Sequence, residues 1–159
     1  MKVLQVINNN VVSSADDDGN EVVDMGRGVG FQKKSGDEID AAKVGKVFQL
    51  SAEHTNQFMQ LVKEVPYENI RLAEKIIRYA QDILQTKLNQ NIYITLTDHL
   101  NYALERKEQG IVFQNDLLWE IRRYYKNEYE VGLKALEMIQ EELGVTLSED
   151  EAGYFALHL

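Results

Sequence analysis

The hydrophobic period of this chain changes once, near residue 55, and that change limits the folds open to it. Up to Leu50, apolar residues come in short runs broken by glycine and asparagine: VLQVI, VVSSA, EVVDM and GVGF. Beyond Asn56 they recur every three or four residues over long stretches, the spacing of amphipathic helices. The expected fold is therefore two domains, a small antiparallel β-sheet followed by an all-α helical bundle. The boundaries are placed at 1–55 and 56–159, with Ser51–Asn56 as a polar linker.

In the first half, Lys2–Asn8, Val11–Ala15 and Glu21–Met25 read as strands. Asn8-Asn9-Asn10 forms a turn between the first two, and Asp18-Gly19 marks a hairpin. Gly30–Lys33 is expected as a fourth strand and Val44–Leu50 as a last extended piece. A module of about 50 residues buries too little surface to be secure as a monomer. The chain has no cysteine, and one histidine up to Thr55 gives no structural zinc set. Dimerisation through this half is the remaining source of buried area, so a homodimeric β module is expected.

In the second half, Pro66 suits the first turn of a helix over Tyr67–Leu88, with Ile70, Ala73, Ile76, Ile77, Ala80 and Leu84 as its apolar stripe. Thr95 or Thr97 is expected to cap a helix that ends at Gly110. Helices over Asn115–Tyr125 and Glu128–Leu143 follow, and Trp119 is placed in the core with Leu117, Leu118 and Ile121. Ser148 and Glu151 have the spacing of a capping box for a last helix, Glu149–Leu159. That helix has no stop signal before the end of the sequence, which reads as a bundle truncated at its C-terminus.

The net charge is −9, with six basic and nine acidic residues up to Thr55 and eleven against seventeen after it. This argues against nonspecific nucleic-acid binding. A specific site would need a local patch (Arg27, Lys33 and Lys34) together with shaped hydrogen bonding. The N-terminus is too short in apolar residues for a signal peptide. No run approaches the roughly 18 apolar residues of a membrane span. A cytoplasmic protein without membrane insertion is expected.

Several groups could carry chemistry. The amides of Asn8 and Asn10 suit a turn, and equally the reading of a base edge or a ribose hydroxyl, because each offers a donor and an acceptor. Gly26-Arg27-Gly28-Val29-Gly30 lacks the spacing of a dinucleotide fingerprint and the ending of a phosphate loop. It fits a bulged strand, or bare backbone that RNA can approach with Arg27 supplying charge. Phe31, if exposed, would stack a base; if it lies in the core, that reading fails. His99 and His158 sit on apolar helix faces, with Tyr102 and Arg106 near the face of His99 and Tyr154 and Phe155 beside His158. Spacing alone favours core-edge histidines. No HxxxH or HxxE cluster suggests a metal, and no nucleophile–base pair suggests an enzyme. Neither a metal nor another cofactor is expected.

Taken together and in order, MKVLQVINNNVV, MGRGVGFQKKSG, LTDHLNYALER, LLWEIRRYY and DEAGYFALHL resemble the bacterial transcriptional antiterminators of the BglG/SacY/LicT type across all 159 residues. The resemblance implies a co-antiterminator (CAT) RNA-binding domain, a dimeric four-stranded sheet, followed by the first phosphotransferase-system regulation domain, PRD1. Such dimers bind a hairpin, the ribonucleic antiterminator, in the leader of a sugar-utilisation messenger and prevent a terminator from forming. The resemblance also implies phosphorylation of the regulation domain on histidine by the sugar-specific permease, with the general phosphocarrier protein as a further candidate donor. By position, Gln5, Asn8, Asn10, Gly26, Arg27, Phe31 and Gln32 are implied to contact RNA. His99 and His158 are implied to accept phosphoryl groups, with Asp98 orienting His99. Residue 5 is glutamine where relatives commonly carry a basic residue. The second regulation domain of the family is absent from the sequence. Two rivals are a helical phosphohistidine relay whose sheet only dimerises, and a DNA-binding activator, although no helix-turn-helix precedes the helices.

Overall fold

The structure, a computed structural model, describes residues 1–111 and 114–159 and divides into two compact units, Met1–Tyr67 and Glu68–Leu159. The first unit is built on strands β1 (Val3–Asn8), β2 (Val11–Ala15), β3 (Glu21–Met25) and β4 (Lys46–Phe48). They form one antiparallel sheet in chain order. The β2–β3 hairpin turns at Gly19, whose φ of 83° is open to glycine without strain. Asp16 steadies this turn, its Oδ1 accepting from the Asp18 and Asn20 amides.

Residues Val11–Ser14 and Val22–Met25 are buried without alternation, because both faces of the sheet are covered. On one face Val3 and Val12 pack against Val29 and Ile39 from the long β3–β4 connection. The register puts Phe48 beside Val23 on the other face, where its ring lies 4.7 Å from that of Phe58. Phe58 belongs to helix α1 (Ala52–Glu64), which Ser51 caps by accepting from the His54 amide. The stretch expected as a linker is thus the first turn of a helix, and Thr55 is buried within it. A chain that buries both faces of a small sheet needs a covering element, and α1 supplies it; burial of Phe58 contributes about 1.5–3 kcal/mol. Two buried strand hydroxyls are satisfied by acids: Ser13 donates to Glu21 and Ser14 to Asp24, each at 2.7 Å. Burial holds the Asp24 carboxyl above the ordinary carboxylate range, opposed by the Ser14 hydrogen bond.

The expected strand at Gly30–Lys33 is not formed. The segment turns instead, with Gln32 at φ 54°, and the fourth strand comes from Lys46–Phe48. Apolar–polar alternation is too short there to separate a strand from consecutive tight turns.

The second unit is helical: α2 (Tyr67–Leu84), α3 (Ile92–Glu108), α4 (Leu118–Tyr124), α5 (Lys126–Leu143) and α6 (Glu149–Leu157). Its core gathers Leu72, Ile76 and Ile77 from α2, Leu96 and Leu100 from α3, Ile139 from α5 and Phe155 from α6. Helix α3 begins before both candidate caps, so Thr95 and Thr97 lie inside it. Helix α5 ends at Gly144, φ 68°, as expected of a left-handed stop. Ser148 occupies the N-cap position of α6 but makes no side-chain capping bond. Trp119 is 61% exposed, not core; the Arg123 guanidinium lies 5.1 Å from its ring. Helix α4 is short and buries only Ile121, so its apolar residues cannot all face inward. Among the described residues no helix is long and apolar enough to cross a membrane, and no cluster of side chains could hold a metal ion.

Helices α5 and α6 meet backbone to backbone at Gly132, where an added Cβ would stand 2.2 Å from the Ala152 carbonyl oxygen. Gly132→Ala is expected to lower stability by about 1–3 kcal/mol, the usual range for forced overpacking, as read from urea unfolding. An unchanged midpoint would show that the helices separate freely.

Candidate nucleic-acid interface and histidine pair

In the first unit, the asparagine turn and the glycine-rich loop are laced together. The Asn10 carbonyl accepts from the Gly26 amide at 2.9 Å, and its side-chain Oδ1 accepts from the Gly28 amide at 2.9 Å. The Gly30 amide donates to the Asn9 carbonyl at 2.8 Å. Two of the loop's glycines are required by close packing. A Cβ on Gly26 would fall 1.8 Å from the Lys43 carbonyl oxygen, and one on Gly30 would fall 2.2 Å from that of Asn8. Gly26 is buried, so its first role is to let two backbone segments touch.

The lacing exposes Arg27, Phe31 and Gln32, with Phe31 54% accessible. An exposed phenylalanine on a hydrogen-bonded loop is open to stacking by a base. Arg27 also lies over the Tyr67 ring at 5.8 Å. Asn8 is more committed than its sequence suggests. Its Oδ1 accepts from the Asn10 amide at 2.8 Å, and its Nδ2 donates to the Val62 carbonyl in α1 at 3.3 Å. One of the two Asn8 amide hydrogens is thereby committed to α1, which leaves the other as a donor for a base. Gln5 is exposed on β1 and donates to Glu21 at 3.1 Å.

In the second unit, helices α3 and α6 bring His99 and His158 together from positions far apart in sequence. Their rings lie nearly parallel, 5.1 Å between centroids. Tyr154 stacks on His99 at 4.0 Å, and Phe155 meets it edge-on at 4.8 Å. His158 is half-buried beside an open pocket lined in part by Asn89, Asn91 and Thr95. Its Nδ1 lies 3.0 Å from the Tyr154 carbonyl oxygen.

His99 is 7% exposed, and its Nε2 faces the carboxylate of Glu151, 3.5 Å away. Glu151 is itself 4% exposed and accepts from Arg106 at 2.7 Å. The Arg106 guanidinium also lies over the Tyr102 ring at 4.9 Å. The sequence reading missed Glu151 as a site residue, because its spacing from Ser148 matched a capping box. Asp98, expected to orient His99, points to solvent; the carboxylate at the histidine comes from α6. The only sequence hint was that an acid and a base both lie near the apolar faces that carry the histidines. Burial lowers the His99 pKa below its ordinary 6.5; Glu151 opposes this, while His158 and Arg106 add to it.

The arrangement combines two stacked imidazoles, a buried Arg–Glu pair and an open approach at His158. It suits reversible attachment of an anionic group to imidazole nitrogen.

Comparison with known proteins follows the same division. Residues 1–57 match the CAT RNA binding domain family, and residues 74–159 match the PRD domain family. The chain is 48% identical to the transcription antiterminator LicT of Bacillus subtilis (strain 168), over all of this chain and 58% of that protein. It is 45% identical to the beta-glucoside operon antiterminator of Dickeya chrysanthemi, over all of this chain and 56% of the relative. The chain thus spans a little more than half the length of these curated relatives. The crystal structure of GlcT CAT-PRDI superposes with a TM-score of 0.84 at 32% identity, covering 99% of this chain and 94% of that one.

The lowered pKa of His99 makes stability depend on pH with a definite sign. The unfolded chain takes up a proton below about pH 6.5 that the folded chain refuses. Stability should therefore fall as the pH drops from there towards the lower folded value, and stay level below that value as far as this group is concerned. Thermal melts across this range should show a smaller loss for His99→Gln than for wild type. An equal loss would assign the effect to other groups.

Proposed function

The chain belongs to the BglG/SacY/LicT-type transcriptional antiterminators, which join a CAT RNA-binding domain to a PRD domain, and on that premise we propose that it is an RNA-binding regulator. As a dimer it binds a leader-messenger hairpin, holds off a competing terminator, and is controlled by histidine phosphorylation of its helices. RNA binding is assigned to residues 1–55 and control to residues 56–159. The observation that carries the reading is the lacing of Asn10 to Gly26 and Gly28, which presents Arg27 and Phe31 to solvent from a rigid turn.

A half-chain with more acids than bases binds RNA poorly by charge alone. Affinity must come from few phosphate contacts, aromatic stacking and hydrogen bonds in fixed positions. Arg27 serves the backbone or a base face, Phe31 a stacked base, and Asn10, Gln32 and Gln5 the polar edges. Asn8 joins them through the amide hydrogen that Val62 does not take. Gly26 acts by permitting the loop. Because Gln5 carries no charge, it adds hydrogen bonding without steepening the salt dependence. The family is regulatory, and the chain is read as the substrate of phosphoryl transfer and not as an enzyme.

The control has a physical basis in charge. A phosphoryl group adds about −1.5 to −2 charges at neutral pH when borne by a hydroxyl amino acid, and on imidazole a comparable burden follows. Placed on a half that already has eleven basic against seventeen acidic residues, it would repel the same group on a dimer partner and compete for Arg106. The donors are phosphotransferase-system proteins, the sugar-specific permease first among them, acting in the bacterial cytoplasm. Coupling between the halves of about 1–3 kcal/mol would change RNA affinity some 5- to 150-fold.

Titration of a leader hairpin with wild-type, Asn10→Ala and Arg27→Ala chains tests the site. Both substitutions should weaken binding at least about tenfold, the equivalent of one good hydrogen-bonded or stacked contact, with the oligomeric state unchanged. Equal binding by all three would remove these residues from the interface. In the same assay, His99→Asp and His158→Asp are expected to lower affinity; unchanged affinity in both would argue against control by charge at these positions.

A further inference from the structure

We propose that the two histidines offer opposite ring nitrogens for phosphoryl attachment, His158 its Nε2 and His99 its Nδ1, because each turns its other nitrogen towards an oxygen that accepts a hydrogen. The inference rests on the reading of both residues as phosphoryl acceptors and specifies the reacting atom on each.

His158 Nδ1 lies 3.0 Å from the backbone carbonyl of Tyr154. A carbonyl oxygen only accepts, so Nδ1 carries the hydrogen and the lone pair of the neutral ring is on Nε2. The ring borders the open pocket that contains Asn89, Asn91 and Thr95, which gives a donor protein an approach.

For His99 the acceptor is Glu151. Its Oε1 is taken by Arg106 at 2.7 Å, and its Oε2 lies 3.5 Å from His99 Nε2. Both Oε2 and Nε2 are buried and neither makes a hydrogen bond at this separation. A lone pair on Nε2 would leave two buried acceptors facing each other, a costly arrangement. A hydrogen on Nε2 satisfies both atoms once the contact shortens. The nucleophilic lone pair of His99 is then on Nδ1. Glu151 is a positioning residue: it touches neither donor nor phosphorus and acts through the ring.

The transfer balances without any proton leaving the site. The imidazole lone pair attacks the phosphorus of a phosphohistidine or phosphocysteine on the donor protein. A P–N bond forms on the acceptor, the donor's P–N or P–S bond breaks, and its electron pair returns to the donor. The acceptor becomes an N-phosphoimidazolium that keeps its other N–H. On His158 that N–H stays on the Tyr154 carbonyl; on His99 it stays on the Glu151 carboxylate, which stabilises the ring cation.

Long-range 15N–1H spectra of the full chain labelled at histidine, recorded about two pH units above the ordinary histidine pKa, report which nitrogen carries the hydrogen. The expected pattern is a protonated Nδ1 with a bare Nε2 for His158, the less common form of free histidine, and the reverse for His99. A bare Nδ1 on His158 or a bare Nε2 on His99 would overturn the assignment. Glu151→Gln, whose single oxygen must face the Arg106 donor and whose NH2 then faces His99, should move the hydrogen of His99 to Nδ1, whereas Glu151→Leu should release the ring to a mixture. Phosphorylation by the phosphocarrier protein and permease domain, charged from phosphoenolpyruvate, should then yield phosphorus on Nε2 of His158 and on Nδ1 of His99. The opposite isomers would overturn the inference. The expected spectra with no phosphoryl uptake would instead sink the functional reading while leaving the ring assignments intact.

Discussion

The buried Glu151 carboxylate is the interaction on which the histidine site depends. It comes from α6, pairs with Arg106 of α3, and turns its second oxygen to His99, also of α3. A carboxylate at 4% exposure is costly to bury unless paired, so the Arg106 contact is what allows it to remain there. Through it the first turn of α6 is tied to the middle of α3, and the rest of α6 then sets Tyr154 and His158 over the His99 ring. The pairing adds to the apolar contact of Phe155 with Leu96 and Leu100, which joins the same two helices. The two histidines share one small environment, and a charge placed on either is felt by both.

The sheet unit solves a different problem with the same economy. On the proposed reading it presents a recognition surface while having few positive charges. Close backbone contact replaces charge: Gly26 meets Lys43, Gly30 meets Asn8, and Asn10 holds the Gly26–Gly28 stretch through two hydrogen bonds. A loop fixed in this way loses little freedom when it binds, so a few exposed groups can suffice. The bond from Asn8 to Val62 adds a connection between the candidate RNA face and α1.

Much of this was legible along the chain. The change of period separated sheet from helices, and the asparagine turn, the hairpin at Gly19 and the stop at Gly144 appear where their local chemistry requires them. Errors arose where one local pattern had two physical uses. Ser148 and Glu151 have capping-box spacing, yet Ser148 makes no side-chain capping bond and Glu151 turns inward to Arg106. Trp119 has the composition of a core residue, yet α4 is too short to bury more than Ile121. Ser51–Asn56 is polar enough for a linker, yet the sheet's second face needed a cover.

By itself, then, the sequence determined the two-part architecture, the first three strands, the helices after Pro66, and which residue types were available for recognition and modification, because these depend on periodicity and turn chemistry within a few residues. Its resemblance to a regulatory family supplied the roles. Only the tertiary structure decided that His99 and His158 stack, that Glu151 and not Asp98 faces the imidazole, and that Asn8 is bound to α1 while Phe31 is free to stack. These outcomes rest on contacts between residues about 50 positions apart, where burial and pairing decide among partners that local sequence cannot rank.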